Sequence, residues 1–191
     1  MQNKIKPIIF GLASTSLSEE EIQLFKENEA VGFILFSRNI ESRPQLIELT
    51  KSLKNLYPDR KVLILVDQEG GRVARIKPPI TKNIYPCAEH FAAIYDDNRL
   101  QAKHELKANY IDLMADLKSL GIDSPCAPVC DILYPKASDV IGDRSFGDNA
   151  DKVIDLCRSA ISGIHHSGGL PFIKHIPGHG RAIFDSHFEL P

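Results

Sequence analysis

Five short apolar runs punctuate the chain, and most of the stretches between them have helical spacing. The runs are Ile8-Ile9-Phe10, Val31 to Phe36, Val62 to Val66, Pro125 to Ile132 and Leu170 to Ile173. The third reads VLILV and is apolar at every position, as expected of a parallel strand covered on both faces. Strand and helix patterns in alternation require crossover connections, and therefore an α/β fold with a parallel sheet. An open doubly wound sheet and a (β/α)8 barrel both satisfy that pattern. Five strands are too few to close a barrel, and the spacing does not choose between the two.

The helical stretches carry their own start signals. Ser18 and Glu21 form a capping box, with Leu17 and Ile22 at the staple positions. Ser42 and Gln45 open a second helix with Pro44 in its first turn, followed by Leu46, Leu49, Leu53 and Leu56. Residues 70–86 read as a long, proline-bearing loop. A helix is expected from about His104 to Leu120, with Leu106, Tyr110, Leu113 or Met114, and Leu117 on one face and Gly121 closing it. Asn149 or Asp148 caps the next, whose stripe includes Val153, Cys157, Ile161 and Ile164.

Composition removes several functional classes. The formal net charge is −2 with no dense Lys/Arg run, which argues against nucleic-acid binding and against a polybasic membrane anchor. No apolar stretch approaches the roughly 20 residues of a membrane helix. Lys4 and Lys6 flank the start of PIIFGLA, but that run is short and begins with proline, so it reads as a buried strand rather than a signal peptide. Cys87, Cys126, Cys130 and Cys157 form no metal-binding spacing. Scattered thiols of this kind imply a reducing, cytoplasmic setting.

The unusual polar residues follow strand ends. DQEGGRVAR (67–75) leaves the third strand, Asp131 leaves the fourth, and KHIPGHGRAIFDSH (174–187) leaves the fifth. In either architecture, ligands bind at the C-terminal ends of parallel strands. Asp67 is placed to accept two adjacent hydroxyl donors, and Arg72 and Arg75 offer planar multi-donor groups. The same loop also reads as a turn with solvated charges. Arg144, in IGDRSFGDN, either anchors a ligand or pairs with Asp143 or Asp148, and the frequency of surface ion pairs favours the pairing.

His175, His179 and His187 invite a zinc reading that their spacing does not support, because Pro177 and Gly178 keep the first two off a common helical face. GHG lacks the pattern of a phosphate-binding loop. Ser186 has no nucleophile elbow. Proton transfer fits better: Asp185 can accept an N–H from His187, fix its tautomer and leave the other ring nitrogen to move a proton. Lys174 and His175, at the strand tip, are suited to hold hydroxyl or carbonyl oxygens.

Taken together, LVDQEGGRVAR, APVCDI, IGDRSFG and KHIPGHG followed by DSH resemble the family-3 glycoside hydrolases of the bacterial β-N-acetylglucosaminidase (β-N-acetylhexosaminidase) branch, in that family's order and along the whole chain. The resemblance implies a TIM-type (β/α)8 barrel, here truncated to about its first five βα units. Residues 1–191 would then be a single, incomplete catalytic domain. It implies a retaining hydrolase, without metal or organic cofactor, that frees terminal non-reducing N-acetylglucosamine from muropeptide fragments during peptidoglycan recycling. Asp67, Arg75, Arg144, Lys174 and His175 would hold the sugar, and His187 would be the general acid/base with Asp185 as its partner. The family's nucleophilic aspartate follows a later strand, beyond residue 191. The isolated chain is therefore expected to turn over substrate weakly or not at all; the competing expectation is a non-catalytic remnant that binds sugars or pairs with another chain. Two positions depart from the family's pattern: Ile176 stands where an aromatic is common, and Arg181 where an acidic residue often follows the second glycine.

Overall fold

A computed structural model describes residues 5–190 of the chain; Lys4, the first of the two N-terminal lysines, lies outside them. The elements run β1 (Lys6–Gly11), α1 (Glu19–Asn28), β2 (Ala30–Leu35), α2 (Arg43–Asn55), β3 (Leu63–Val66), β4 (Gln68–Gly70), β5 (Val73–Ala74), α3 (Ala88–Asp97), α4 (Arg99–Ser119), β6 (Ser124–Pro125) and α5 (Ala150–His166). β4 and β5 form a small antiparallel hairpin. The main sheet is parallel throughout, in the order β1-β2-β3-β6.

That order resolves the choice the sequence leaves open. Each strand of the main sheet pairs with the one preceding it in that sheet, without the reversal that defines a doubly wound sheet. The progression continues beyond β6, where Val129 bridges in parallel to Lys174. The fold is α/β of the TIM-barrel type, and these residues form an arc of it.

The local signals hold where they are local. Ser18 and Glu21 complete their capping box reciprocally. The Ser42 hydroxyl accepts from the Gln45 N–H, and Asn149 caps α5 by accepting from the Lys152 N–H. Gly121 ends α4 at φ +78°, a conformation that costs glycine little. Phe33, Leu35, Ile64 and Val66 from the sheet meet Leu46 and Leu53 of α2 and Leu106, Leu113 and Leu117 of α4 in one core.

Four expectations need correction. The proline-bearing loop contains the β4–β5 hairpin, and α3 follows it unanticipated, so that α4 begins at Arg99 rather than near His104. Of the fourth run, Pro125 to Ile132, only Pro125 lies in a regular ladder, as the last residue of β6 (Ser124–Pro125). The fifth, Leu170 to Ile173, is not a regular strand. It is tied to the fourth run by Phe172 N–H donating to Ala127 C=O at 2.9 Å, and by Lys174 N–H donating to Pro128 C=O at 3.2 Å. Pro125 and Pro128 have no N–H to contribute, which limits a continuous ladder there. Ile161, placed on the apolar stripe of α5, is half-buried, whereas Leu156 and Ala160 are fully buried.

Candidate active site

The strand-end residues meet. Asp67 leaves β3 and Glu69 lies two positions on, so both side chains project to the same side of an extended backbone. Lys174, at the end of the fifth segment, reaches both carboxylates: Nζ is 2.9 Å from Asp67 Oδ1 and 2.5 Å from Glu69 Oε1. Arg75 donates to Asp67 Oδ2 over 3.5 Å, and its Nε is buried without a hydrogen-bond partner among the described residues. Arg144 forks onto Glu69, Nε to Oε2 at 2.8 Å and Nη2 to Oε1 at 2.9 Å.

The line continues from Arg144 Nη2 to His175 Nε2 at 3.4 Å, and from His175 Nδ1 to Asp131 Oδ2 at 2.6 Å. Arg75, Asp67, Lys174, Glu69, Arg144, His175 and Asp131 thus form one connected polar chain. Its members come from the exit of β3, from β4, the exit of β5, the exit of the fourth run, the loop before α5 and the tip of the fifth segment.

The charges are set by this contact. Burial would raise the Asp67 carboxyl, but Lys174, with help from Arg75, outweighs burial and holds it below the usual carboxylate range. Burial also opposes the Asp131 carboxylate, and the bonds from the His175 ring and the His179 backbone N–H again prevail, keeping it low. For Arg144, burial disfavours the cation while the Glu69 contact more than restores it, so its proton is held more tightly than usual. Alternating donors and acceptors of this kind suit a ligand rich in hydroxyl groups, which both donate and accept.

Asp185 and His187 form a second unit. Asp185 Oδ1 accepts from the His187 backbone N–H at 3.0 Å and lies 2.6 Å from its Nδ1. Those bonds, the backbone one first, lower the Asp185 carboxyl. The His187 side chain is 75% exposed. Among the described residues, no hydrogen bond or ion pair joins Asp185 or His187 to the polar chain; Ser186 between them contacts His179 Nε2 at 3.1 Å. The structure therefore brings the five sugar-holding candidates together and leaves the Asp185–His187 pair on the loop, outside that polar chain.

Other expectations separate here. Arg72 is not available to a ligand in this arrangement: it binds Asp143 at 2.6 Å and the carbonyls of residues 139–141. Arg144 takes Glu69 rather than Asp143 or Asp148. Arg181 lies over the Tyr134 ring at 4.5 Å and donates to its hydroxyl, while Ile176 is 83% exposed. Among the described residues, no group of three or more His, Cys, Asp or Glu side chains is arranged to hold a metal ion. No described helix is long and apolar enough to cross a membrane.

Glu69 and Asp131 are the members of the chain that sequence reasoning did not select. The alternation Asp67-x-Glu69 leaving an apolar strand was the available signal for the first. Asp131 was visible as a polar strand exit, but its partners are 44 and 48 residues away.

A parallel, sequentially ordered arc of a TIM-type barrel with a polar site on its strand ends defines the class of this domain. Residues 2–191 match the glycosyl hydrolase family 3 N terminal domain, and the chain belongs to that family. It is 39% identical over 185 residues to a beta-hexosaminidase of Thioalkalivibrio sulfidiphilus, covering 97% of this chain and 52% of the relative. With a beta-hexosaminidase of Alkalilimnicola ehrlichii the identity is 41% over 186 residues, with the same coverage. The crystal structure of NagZ from Neisseria gonorrhoeae superposes with a TM-score of 0.88 at 35% identity, over 97% of this chain and 54% of that one. The same protein in complex with N-trifluoroacetyl-D-glucosamine gives the same values. The chain spans about half the length of the relatives it matches.

Proposed function

We propose that residues 1–191 are an incomplete catalytic domain carrying the sugar-holding and proton-transferring part of a retaining β-N-acetylhexosaminidase. Its substrate is the terminal non-reducing N-acetylglucosamine of peptidoglycan fragments in the cytoplasm. The observation that carries the reading is the unbroken polar chain from Arg75 to Asp131, which joins all five candidate sugar-holding residues. Asp67 accepts from sugar hydroxyls, and Arg75, Arg144 and Lys174 donate to sugar oxygens.

His187 acts as general acid/base. With Nδ1–H directed at Asp185, Nε2 carries the proton that passes to the leaving oxygen as the glycosidic C–O bond breaks. In the second step Nε2 takes a proton from the water that displaces the enzyme carboxylate. That attacking carboxylate is assigned to a segment outside residues 1–191. Asp67, Glu69 and Asp131 are held by cations or N–H donors, and Asp185 already serves His187.

The test measures two quantities on the same purified chain: affinity for N-acetylglucosamine by titration, and hydrolysis of 4-nitrophenyl N-acetyl-β-D-glucosaminide. Saturable binding that weakens in Arg144→Lys, with weak or absent turnover, is expected. Robust turnover lost in His187→Ala would refute the assignment of the nucleophile to another segment. Failure to bind the sugar at all would refute the site.

A further inference from the structure

Asp131 has no place in the proposed chemistry, yet its carboxylate is the most enclosed group on the rim, with a fully buried side chain. Three N–H directions converge on it. His175 Nδ1 lies 2.6 Å from Oδ2, the His175 backbone N–H donates to the same oxygen at 3.2 Å, and the His179 backbone N–H donates to Oδ1 at 2.5 Å. A buried carboxylate needs such donors, and this one draws all three from the KHIPGH stretch.

The consequence lies in the ring of His175. A neutral imidazole has one donor nitrogen and one acceptor nitrogen, and the bond made by the first determines the second. A carboxylate can only accept, so Nδ1 must carry the hydrogen. Nε2 is then left with its lone pair, pointing towards Arg144 Nη2 at 3.4 Å. That contact is long enough for a ligand hydroxyl to compete for the lone pair.

We infer that Asp131 is a positioning residue of this site: its carboxylate fixes His175 as the Nδ1–H tautomer, so that His175 meets the ligand as a hydrogen-bond acceptor at Nε2. By holding His179 N–H with its other oxygen, Asp131 also fixes where the loop carrying Asp185 and His187 departs. The tautomer assignment stands on geometry alone; its consequence for sugar binding rests on the proposed sugar site.

Long-range 1H–15N correlation spectra of the ring nitrogens, recorded on the 191-residue chain at neutral pH, read the tautomer directly and need no turnover. Nδ1 of His175 is expected at a pyrrole-type shift and Nε2 at a pyridine-type shift. In Asp131→Ala the pattern moves towards Nε2–H, and N-acetylglucosamine affinity falls about tenfold, the worth of one hydrogen bond of suitable polarity. An Nε2–H ring in the unmutated chain overturns the inference whether or not the variant folds, as does a folded Asp131→Ala chain with an unchanged ring. Unaltered affinity in a variant whose tautomer has changed overturns the functional consequence and leaves the sugar site standing. The expected tautomer without any sugar binding in the unmutated chain refutes the sugar site and leaves the positioning role intact.

Discussion

Removing Glu69 is the sharpest test of how the rim is held together. The side chain is 7% exposed and binds two cations that are themselves enclosed, Arg144 at 11% and Lys174 at 16%. Glu69→Ala affects them unequally. Lys174 keeps Asp67 at 2.9 Å, whereas Arg144 keeps the Val140 carbonyl at 2.8 Å and the long contact to His175. Arg144 thus becomes a buried guanidinium without a directly paired counter-charge, Asp67 and Asp131 acting on it only from a distance, a change that costs roughly 3–5 kcal/mol in comparable pairs. Replacing Glu48 instead removes a pair with Lys51 at 4.0 Å, both side chains well exposed, and is expected to cost below about 1 kcal/mol. Urea unfolding of the two variants, compared by midpoint at unchanged slope, measures the difference. The double variant Glu69→Ala/Arg144→Met should recover much of the loss, because it removes the orphaned charge along with its partner. If Glu69→Ala unfolds at the same midpoint as Glu48→Ala, the rim is wetter than its geometry implies and the reasoning fails.

Two further outcomes follow from the same contacts. The folded-state pKa values of Asp67 and Asp131 lie below their unfolded values, so their stabilising contributions are fully present above the unfolded carboxylate value of about 4. They are lost as pH falls through the folded values; unfolding midpoints should hold steady from neutral pH to about 5 and drop below that, less steeply in Asp67→Asn. Gly180→Ala should detach the motif loop from its neighbour, because a Cβ there would sit 1.8 Å from the Ile132 carbonyl oxygen. Faster hydrogen exchange at Tyr134 N–H, which donates to Gly180 C=O at 3.0 Å, is the expected sign.

What the sequence made legible was local or periodic. Ser18 with Glu21, Ser42 with Gln45, and Asn149 with the Lys152 N–H are contacts within one helical turn, so their spacing alone specifies them. α3 escaped because its cap position, Cys87, makes no side-chain cap bond. The five sugar-holding candidates were found through strand ends and family pattern. Glu69 and Asp131 also stood at strand ends but were given no role, since each takes its place through partners in distant segments: Arg144 is 75 residues from Glu69, and His175 is 44 from Asp131. The choice between barrel and doubly wound sheet likewise depended on which strands are neighbours, a property of pairing that a single strand's composition does not encode.

The two aspartate–histidine pairs on this rim differ in one respect with mechanical consequences. Asp131 and His175 belong to separate segments, and their bond is a weld between the ends of the fourth and fifth runs. Asp185 and His187 lie within one turn, two residues apart. A displacement of that turn carries both side chains together, with the 2.6 Å contact and the orientation of the ring preserved. The unit proposed to handle the proton is therefore self-contained cargo: its internal geometry is independent of where the loop sets it down, while the welded pair holds the proposed sugar site in place.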